Sequence, residues 1–427
     1  MQPDQGGRLC ARCAPRGSNV QKMASQRQFR IPPTRAEGGI SMKNDKVYED
    51  RRQKINELRA KSEKLTPRER CVKAINHEDS DRVPIDNWMV PEIKKRCMTY
   101  WGLDSEAELL DFLGVDVRDN YGPAYVGLEF KTHPDGTVED LWGVRRRKVV
   151  YGKDTDHQGT FTEVAHSPLE HMKTVEEINA YDRWPSPDWW DYSKVKEEGA
   201  ALHPKYFVLN KGDRLDRTAQ LKPMMYLRGI QQTFVDLALN PKIVECIRDH
   251  VVNYFVNYNP KVFEASGGEF DMFMMGDDMG GQGGPLIGLD MWRRYFRDGF
   301  RTYCDIAHKF GLKVMYHTCG DVYALIPDFI ENGLDCLQSL QPQATNMDIK
   351  RLKQEFGKDL SFQGAMDIQQ VLPLGTPEDV RKMVKYAMDN AKKDGGYIIC
   401  TSHNIQVDTA IENVAALFEA YHEYGVY

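Results

Sequence analysis

Two short stretches of this chain combine residue types that could do chemistry. The first is His317-x-Cys319, at the end of an apolar run that closes with Tyr316. On an extended strand end, side chains two positions apart point the same way, so an imidazole and a thiolate would lie side by side and could share one Zn²⁺. Two donors do not make a zinc site. A third must come from elsewhere, and the best offers are His403 and Cys400 near the last apolar run, after which a carboxylate of Asp277 or Asp278 could complete a tetrahedron or leave a position open for substrate. A buried cysteine that merely packs as a small hydrophobe is the plainer alternative. The second stretch is Gly276-Asp277-Asp278-Met279-Gly280-Gly281-Gln282-Gly283-Gly284. It is glycine-rich like a phosphate cradle, but it lacks the Gly-Lys-Ser/Thr ending, and adjacent carboxylates repel a phosphate. One of Asp277 and Asp278 is expected to face a pocket as ligand or proton acceptor. The plainer alternative is a cap or an ion pair on a loop.

Elements must exist to bring such residues together. Apolar runs at Met272 to Met275, Lys313 to Tyr316, Cys336 to Leu340, Leu360 to Gln363 and Tyr397 to Cys400 alternate with helical stretches, as in a parallel sheet with crossover helices. Each is followed by polar residues: Asp277-Asp278, His317-Thr318-Cys319, Gln341, Asp367 and His403-Asn404. In a (β/α)8 barrel the residues after each strand converge on one mouth, which would gather all five clusters. A doubly wound sheet would show a nucleotide loop at its first strand, and none is seen. The expected fold is therefore α/β, a single (β/α)8 TIM barrel over residues 66–427.

The remainder of the chain is read as additions to that barrel. Residues 1–41 carry seven Lys/Arg against two acids, with little apolar periodicity, and Met42 is expected to be the true start. The Cys10-x-x-Cys13 pair in this extension has no second pair and is given no function. Alternating charge from Lys43 to Lys64 predicts a solvated helical arm over 42–65, and Thr66-Pro67-x-Glu69 predicts the capped start of the next helix. Residues 129–166 predict a β-hairpin excursion, with Arg145-Arg146-Arg147-Lys148 on a solvated edge. A net charge of -6 argues against nucleic acid as a partner. No stretch approaches the roughly eighteen apolar residues of a membrane span. Nine scattered cysteines and no apolar secretory opening fit a reducing cytoplasm.

Several motifs carry a resemblance. Tyr316-His317-Thr318-Cys319-Gly320-Asp321-Val322, Gly333-Leu334-Asp335, Phe362-Gln363-Gly364-Ala365-Met366-Asp367 and Ser402-His403-Asn404-Ile405-Gln406 resemble, in order, the uroporphyrinogen decarboxylase superfamily. Further landmarks are Arg82-Val83-Pro84 and Gly127-Leu128-Glu129. The superfamily holds porphyrinogen decarboxylases and zinc-dependent methyltransferases that move methyl groups between a corrinoid protein and a thiol or methylated substrate. The decarboxylases carry an arginine-rich signature where this chain reads Asp86-Asn87-Trp88-Met89-Val90-Pro91-Glu92, without arginine, and their catalytic aspartate falls where Arg118 stands, with Asp119 beside it. The resemblance is closer to the methyltransferase branch, which places two zinc ligands at His317-x-Cys319 and a third, a cysteine, at the position of His403. It implies Zn²⁺ held by His317, Cys319 and His403, with Asp277 or Asp278 as a further ligand or proton acceptor. Gln341, Gln363, Asp367 and Asn404 would line the substrate pocket. The corrinoid (cobalamin) would ride on a partner protein, since no D-x-H-x-x-G motif occurs here, and the other partner would be a small-molecule methyl donor or thiol acceptor. A metal-free decarboxylase acting through an aspartate is the alternative activity, and a non-catalytic corrinoid or tetrapyrrole carrier is the alternative of a different kind.

Overall fold

The computed structural model describes residues 45–151, 159–212 and 217–427. The expectations placed on residues 1–41 and on Met42 lie outside the described residues.

At the centre is a seven-stranded, wholly parallel sheet whose strands neighbour one another in chain order: β1 (Val117–Asn120), β2 (Phe207–Asn210), β3 (Met272–Gly276), β4 (Lys313–His317), β5 (Cys336–Leu340), β6 (Ser361–Met366) and β7 (Tyr397–Thr401). Strands buried on both faces read as near-continuous apolar runs, and β3, β5, β6 and β7 are buried at every residue. Alternation divides their side chains between two cores. Met272, Met274, Met315, Cys336, Ile398 and Cys400 join Phe207, Leu209 and Trp88 in an inner cluster, while Phe273, Met275, Val314, Tyr316, Tyr397 and Ile399 pack outward in the larger cluster.

The two edge strands are laced by one extended segment. The amide of Asp86 donates to the Ile399 carbonyl at 3.0 Å, the amide of Ile399 donates to the Pro84 carbonyl at 2.9 Å, and the amide of Asp116, just before β1, donates to the Ile85 carbonyl at 2.8 Å. A single bridge, Ile85 to Ile399, is formed there. The fold is thus a curled seven-stranded half-barrel with this short segment between its edges, rather than eight full ladders.

Helix Pro67–Ile75 begins with the expected capping box of Thr66 and Glu69 and inserts Cys71 and Ile75 into the inner cluster. Helix Asp45–Ser62 lies where the charge pattern placed one, but it is docked rather than solvated on all sides, because Ile55 is 1% exposed in the main core. The hairpin is a three-stranded antiparallel sheet in which Arg145–Tyr151 is the central strand. Arg146 is correspondingly buried, paired with Asp140 at 2.6 Å and lying 4.5 Å over the Tyr226 ring, so the basic run is not an edge strand, although Arg147 and Lys148 are exposed as expected. No described helix is long and apolar enough to cross a membrane.

Beneath the sheet, Arg70 and Arg82 converge on Asp116, with Asp81 and Glu63 completing a buried ion network. Burial pushes the carboxyls of Glu63 and Asp81 up, but hydrogen bonds and charges from arginines, joined at Asp81 by the amides of Leu65 and Lys64, outweigh it and hold each at about 2. Folded values below the unfolded range of about 4 stabilise the fold fully above that range, and the contribution is lost as pH falls toward 2. Urea midpoints measured between about pH 5 and pH 2 are expected to drop, and Glu63→Gln should flatten the slope. An identical slope in that variant would remove Glu63 from the account.

Candidate metal centre

The last residue of β4, His317, is the Cα partner of Gly276 at the end of β3, and Asp278 and Cys319 each lie two residues beyond those strand ends. The two loops are stapled together. Gly280 donates its amide to the Cys319 carbonyl at 3.1 Å, and Asp321 donates to the Gly281 carbonyl at 2.7 Å. A side chain at Gly280 would set a carbon 2.6 Å from the Cys319 oxygen, and Gly320, at φ +81°, faces Gly280 just as closely. The glycines thus serve loop-to-loop contact, which explains their density without a phosphate.

This docking brings three different donor atoms together. His317 Nε2 is 3.6 Å from Asp278 Oδ1 and 3.8 Å from Cys319 Sγ, and all three donors lie within 4.8 Å of one another. A tetrahedral ion with ordinary zinc bond lengths would hold nitrogen about 3.4 Å from oxygen and about 3.6 Å from sulfur, so the set fits one metal. Burial, aided by Arg217 and Lys222 against the opposing pull of Asp278, drives the His317 pKa down to about 3. Its imidazole is therefore neutral and can offer a lone pair. The other ring nitrogen, Nδ1, is hydrogen-bonded to Gln338 Oε1, the ring stacks on Trp88 at 5.6 Å, and Asp278 Oδ2 is 2.8 Å from Lys222 Nζ. Cys319 is only partly buried, so the group can be reached.

The two aspartates separate cleanly. Asp277 is 2% exposed and accepts the amides of Gln220 at 2.7 Å, Leu221 at 3.1 Å and Lys222 at 2.6 Å, capping helix Leu221–Arg228. Burial raises its pKa against those amides. Asp277 is a cap, and Asp278 is the carboxylate of the site. Asp277→Ala is expected to lower unfolding stability by about 1.5–3 kcal/mol, the worth of hydrogen bonds to a charged group. Metal content measured on the surviving fold should be retained, and its complete loss would place Asp277 in the site instead.

The other expected residues are distributed differently. His403 is half-buried in the loop after β7 and outside the three-donor group, while Cys400 points into the inner cluster, where burial pushes its thiol pKa well above the usual value. Gln341 accepts the Gly320 amide at 3.2 Å and so supports the Cys319 loop. Gln363 is wholly buried and donates to Asp86 Oδ2 at 2.7 Å. Asp367 accepts the amides of Gln369, Gln370 and Val371 at the start of helix Val371–Leu374, which makes it a cap. Asn404 is half-buried, and its carbonyl accepts from Gln406 Nε2 at 2.8 Å. Asp119, at the end of β1, forms an ion pair with Lys211, whose ammonium lies 4.8 Å over Trp88. Sequence reasoning missed Trp88, Gln338 and Lys222. For Gln338 a signal existed, because it is two residues from Cys336 on an alternating strand.

Residues 219–424 match the family model for uroporphyrinogen decarboxylase (URO-D), a region that holds β3 to β7 and the three donors. A methylated-thiol–coenzyme M methyltransferase of Methanosarcina mazei is 25% identical over 135 residues, covering 32% of this chain and 34% of that protein, so the match spans about a third of the relative's length. A solved methyltransferase from Methanosarcina mazei shares 16% identity at a TM-score of 0.55, covering 84% of this chain and 99% of that one. That second likeness speaks for the fold.

Proposed function

We propose that this protein is a cytoplasmic methyltransferase in which Asp278, His317 and Cys319 hold one zinc ion, and which moves a methyl group between a corrinoid on a partner protein and a thiol or methylated small molecule. The observation that carries this reading is the convergence of carboxylate, imidazole and thiol donors at single-ion spacing. The likeness to a methylated-thiol methyltransferase supports the reaction class.

When bound, zinc makes a coordinated thiol more acidic, or polarises the heteroatom that carries a methyl group. The chain's own residues prepare that chemistry. Three protein donors would hold the ion and leave a coordination position open for substrate. Gln338 holds the His317 ring from behind, and Trp88 packs flat against it, so the imidazole is fixed in direction. Lys222 binds the second oxygen of Asp278 and leaves Oδ1 turned toward His317. Apolar β3 side chains and Trp88 limit water below the site.

The test is methyl transfer from methylcobalamin to a panel of thiols, and from methylated donors to cob(I)alamin, with zinc-loaded protein. Turnover in either direction is the expected result. Inactivity of folded, metal-loaded protein with every pair would sink the proposal.

A further inference from the structure

Four polar side chains form a row across the buried interior. His317, Gln338 and Gln363 are Cα partners on β4, β5 and β6, and Asp86 reaches the same row from the segment that laces the sheet edges. All four are at most 5% exposed. His317 Nδ1 bonds to Gln338 Oε1, and Gln363 Nε2 donates at 2.7 Å to Asp86 Oδ2, which also accepts from Trp88 Nε1 at 3.0 Å. Two buried atoms are left over, Gln338 Nε2 and Gln363 Oε1, and neither has a hydrogen-bond partner among the described residues. One is a donor and the other an acceptor. They belong to facing residues of adjacent strands, whose backbones run about 4.8 Å apart. Buried polar groups are rarely left open, and complementary amides at this separation can meet.

We propose that these two amides close on each other, directly or through one water, so that a hydrogen-bond chain runs from His317 through Gln338 and Gln363 to Asp86 and positions His317. A carboxylate only accepts, which gives the chain one direction. Gln363 must turn its NH₂ toward Asp86 and its carbonyl toward Gln338. Gln338 must then turn its NH₂ toward Gln363 and its carbonyl toward the imidazole. His317 is thereby required to carry its proton on Nδ1, which leaves the Nε2 lone pair facing Asp278 and Cys319. Gln338 and Gln363 are positioning residues, and Asp86 anchors the far end without touching the donor group. The consequence for metal binding rests on the zinc reading above, whereas the tautomer does not.

The experiment uses the full chain labelled with ¹⁵N-histidine and free of metal, with long-range ¹H–¹⁵N spectra assigned through the loss of the His317 signals in His317→Gln. The wild type is expected to show Nδ1 protonated and Nε2 bare. Gln363→Met and Gln338→Met should introduce the opposite tautomer, and Gln338→Glu, which keeps an acceptor at the ring, should restore the wild-type pattern. In parallel, cobalt(II) titrations followed by absorbance should show affinity falling about 10- to 100-fold in Gln363→Met and being retained in Gln338→Glu. An Nε2-protonated His317 in the wild type, or a Gln363→Met variant with unchanged tautomer, would overturn the chain. The expected tautomers without cobalt binding by any form would uphold the chain and overturn the zinc site.

Discussion

Cys319→Ala is expected to abolish stoichiometric zinc and to lower methyl transfer by about a thousandfold or more, because a Lewis acid is worth several kcal/mol to the reaction it assists. The thiol is one of three donors, and removing it leaves two, a number that does not make a zinc site. Asp278→Asn should weaken the metal by the same logic while leaving the ring of His317 in place against Trp88. His403→Ala is the discriminating control. It lies outside the donor group, so metal analysis by plasma emission should still find about one zinc per chain. Zinc retained in Asp278→Asn but lost in His403→Ala would replace the assigned donor set with the one expected from the family resemblance.

The largest expected effect on stability lies at the other end of the sheet. Asp116 is fully buried and bonds both Arg70 and Arg82, with one carboxylate oxygen 2.7 Å from Arg82 Nη1 and the same oxygen accepting the Ile85 amide at 2.7 Å. Removing one member of a buried ion network leaves charges without partners, at a cost of about 3–5 kcal/mol. Asp116→Ala should therefore lose most of its urea midpoint or accumulate in the insoluble fraction. Asp116→Asn, which keeps two polar atoms in place, should be affected less. A midpoint within error of wild type for the alanine variant would mean that the arginines are held by Asp81 and Glu63 alone.

Much of the scaffold was legible because buried parallel strands leave continuous apolar runs. The five runs anticipated from Met272 to Cys400 correspond to β3 through β7: Cys336–Leu340 matches at both ends, and no other end moves by more than three residues. The first two strands were not anticipated. Val117–Asn120 carries Arg118 and Asp119, whose charges are matched by Asp111 and Lys211, so its pattern does not look like a core strand. At the site, His317 and Cys319 were legible from alternation on one strand. The choice between Asp277 and Asp278 was not, since it turns on where helix Leu221–Arg228 places its amides. The approach of Asp278 to His317 and Cys319 follows from loop docking through Gly280 and Gly320, a contact between strands that spacing along the chain cannot reveal. Trp88 was read only as a position lacking arginine, and its stacking on His317 depends on the edge segment folding over the interior.

That edge segment bears on the order in which the molecule assembles. The three donors come from successive strand ends, so their approach closes a comparatively short loop. The wall behind them comes from residues 84–88, which reach β7 and His317 only across most of the sequence. Contacts of such long range are costly in loop entropy and tend to form late. During refolding, the donor cluster is expected to bind cobalt before Trp88 fluorescence reaches its native value, with the interval between the two signals timing the final latch.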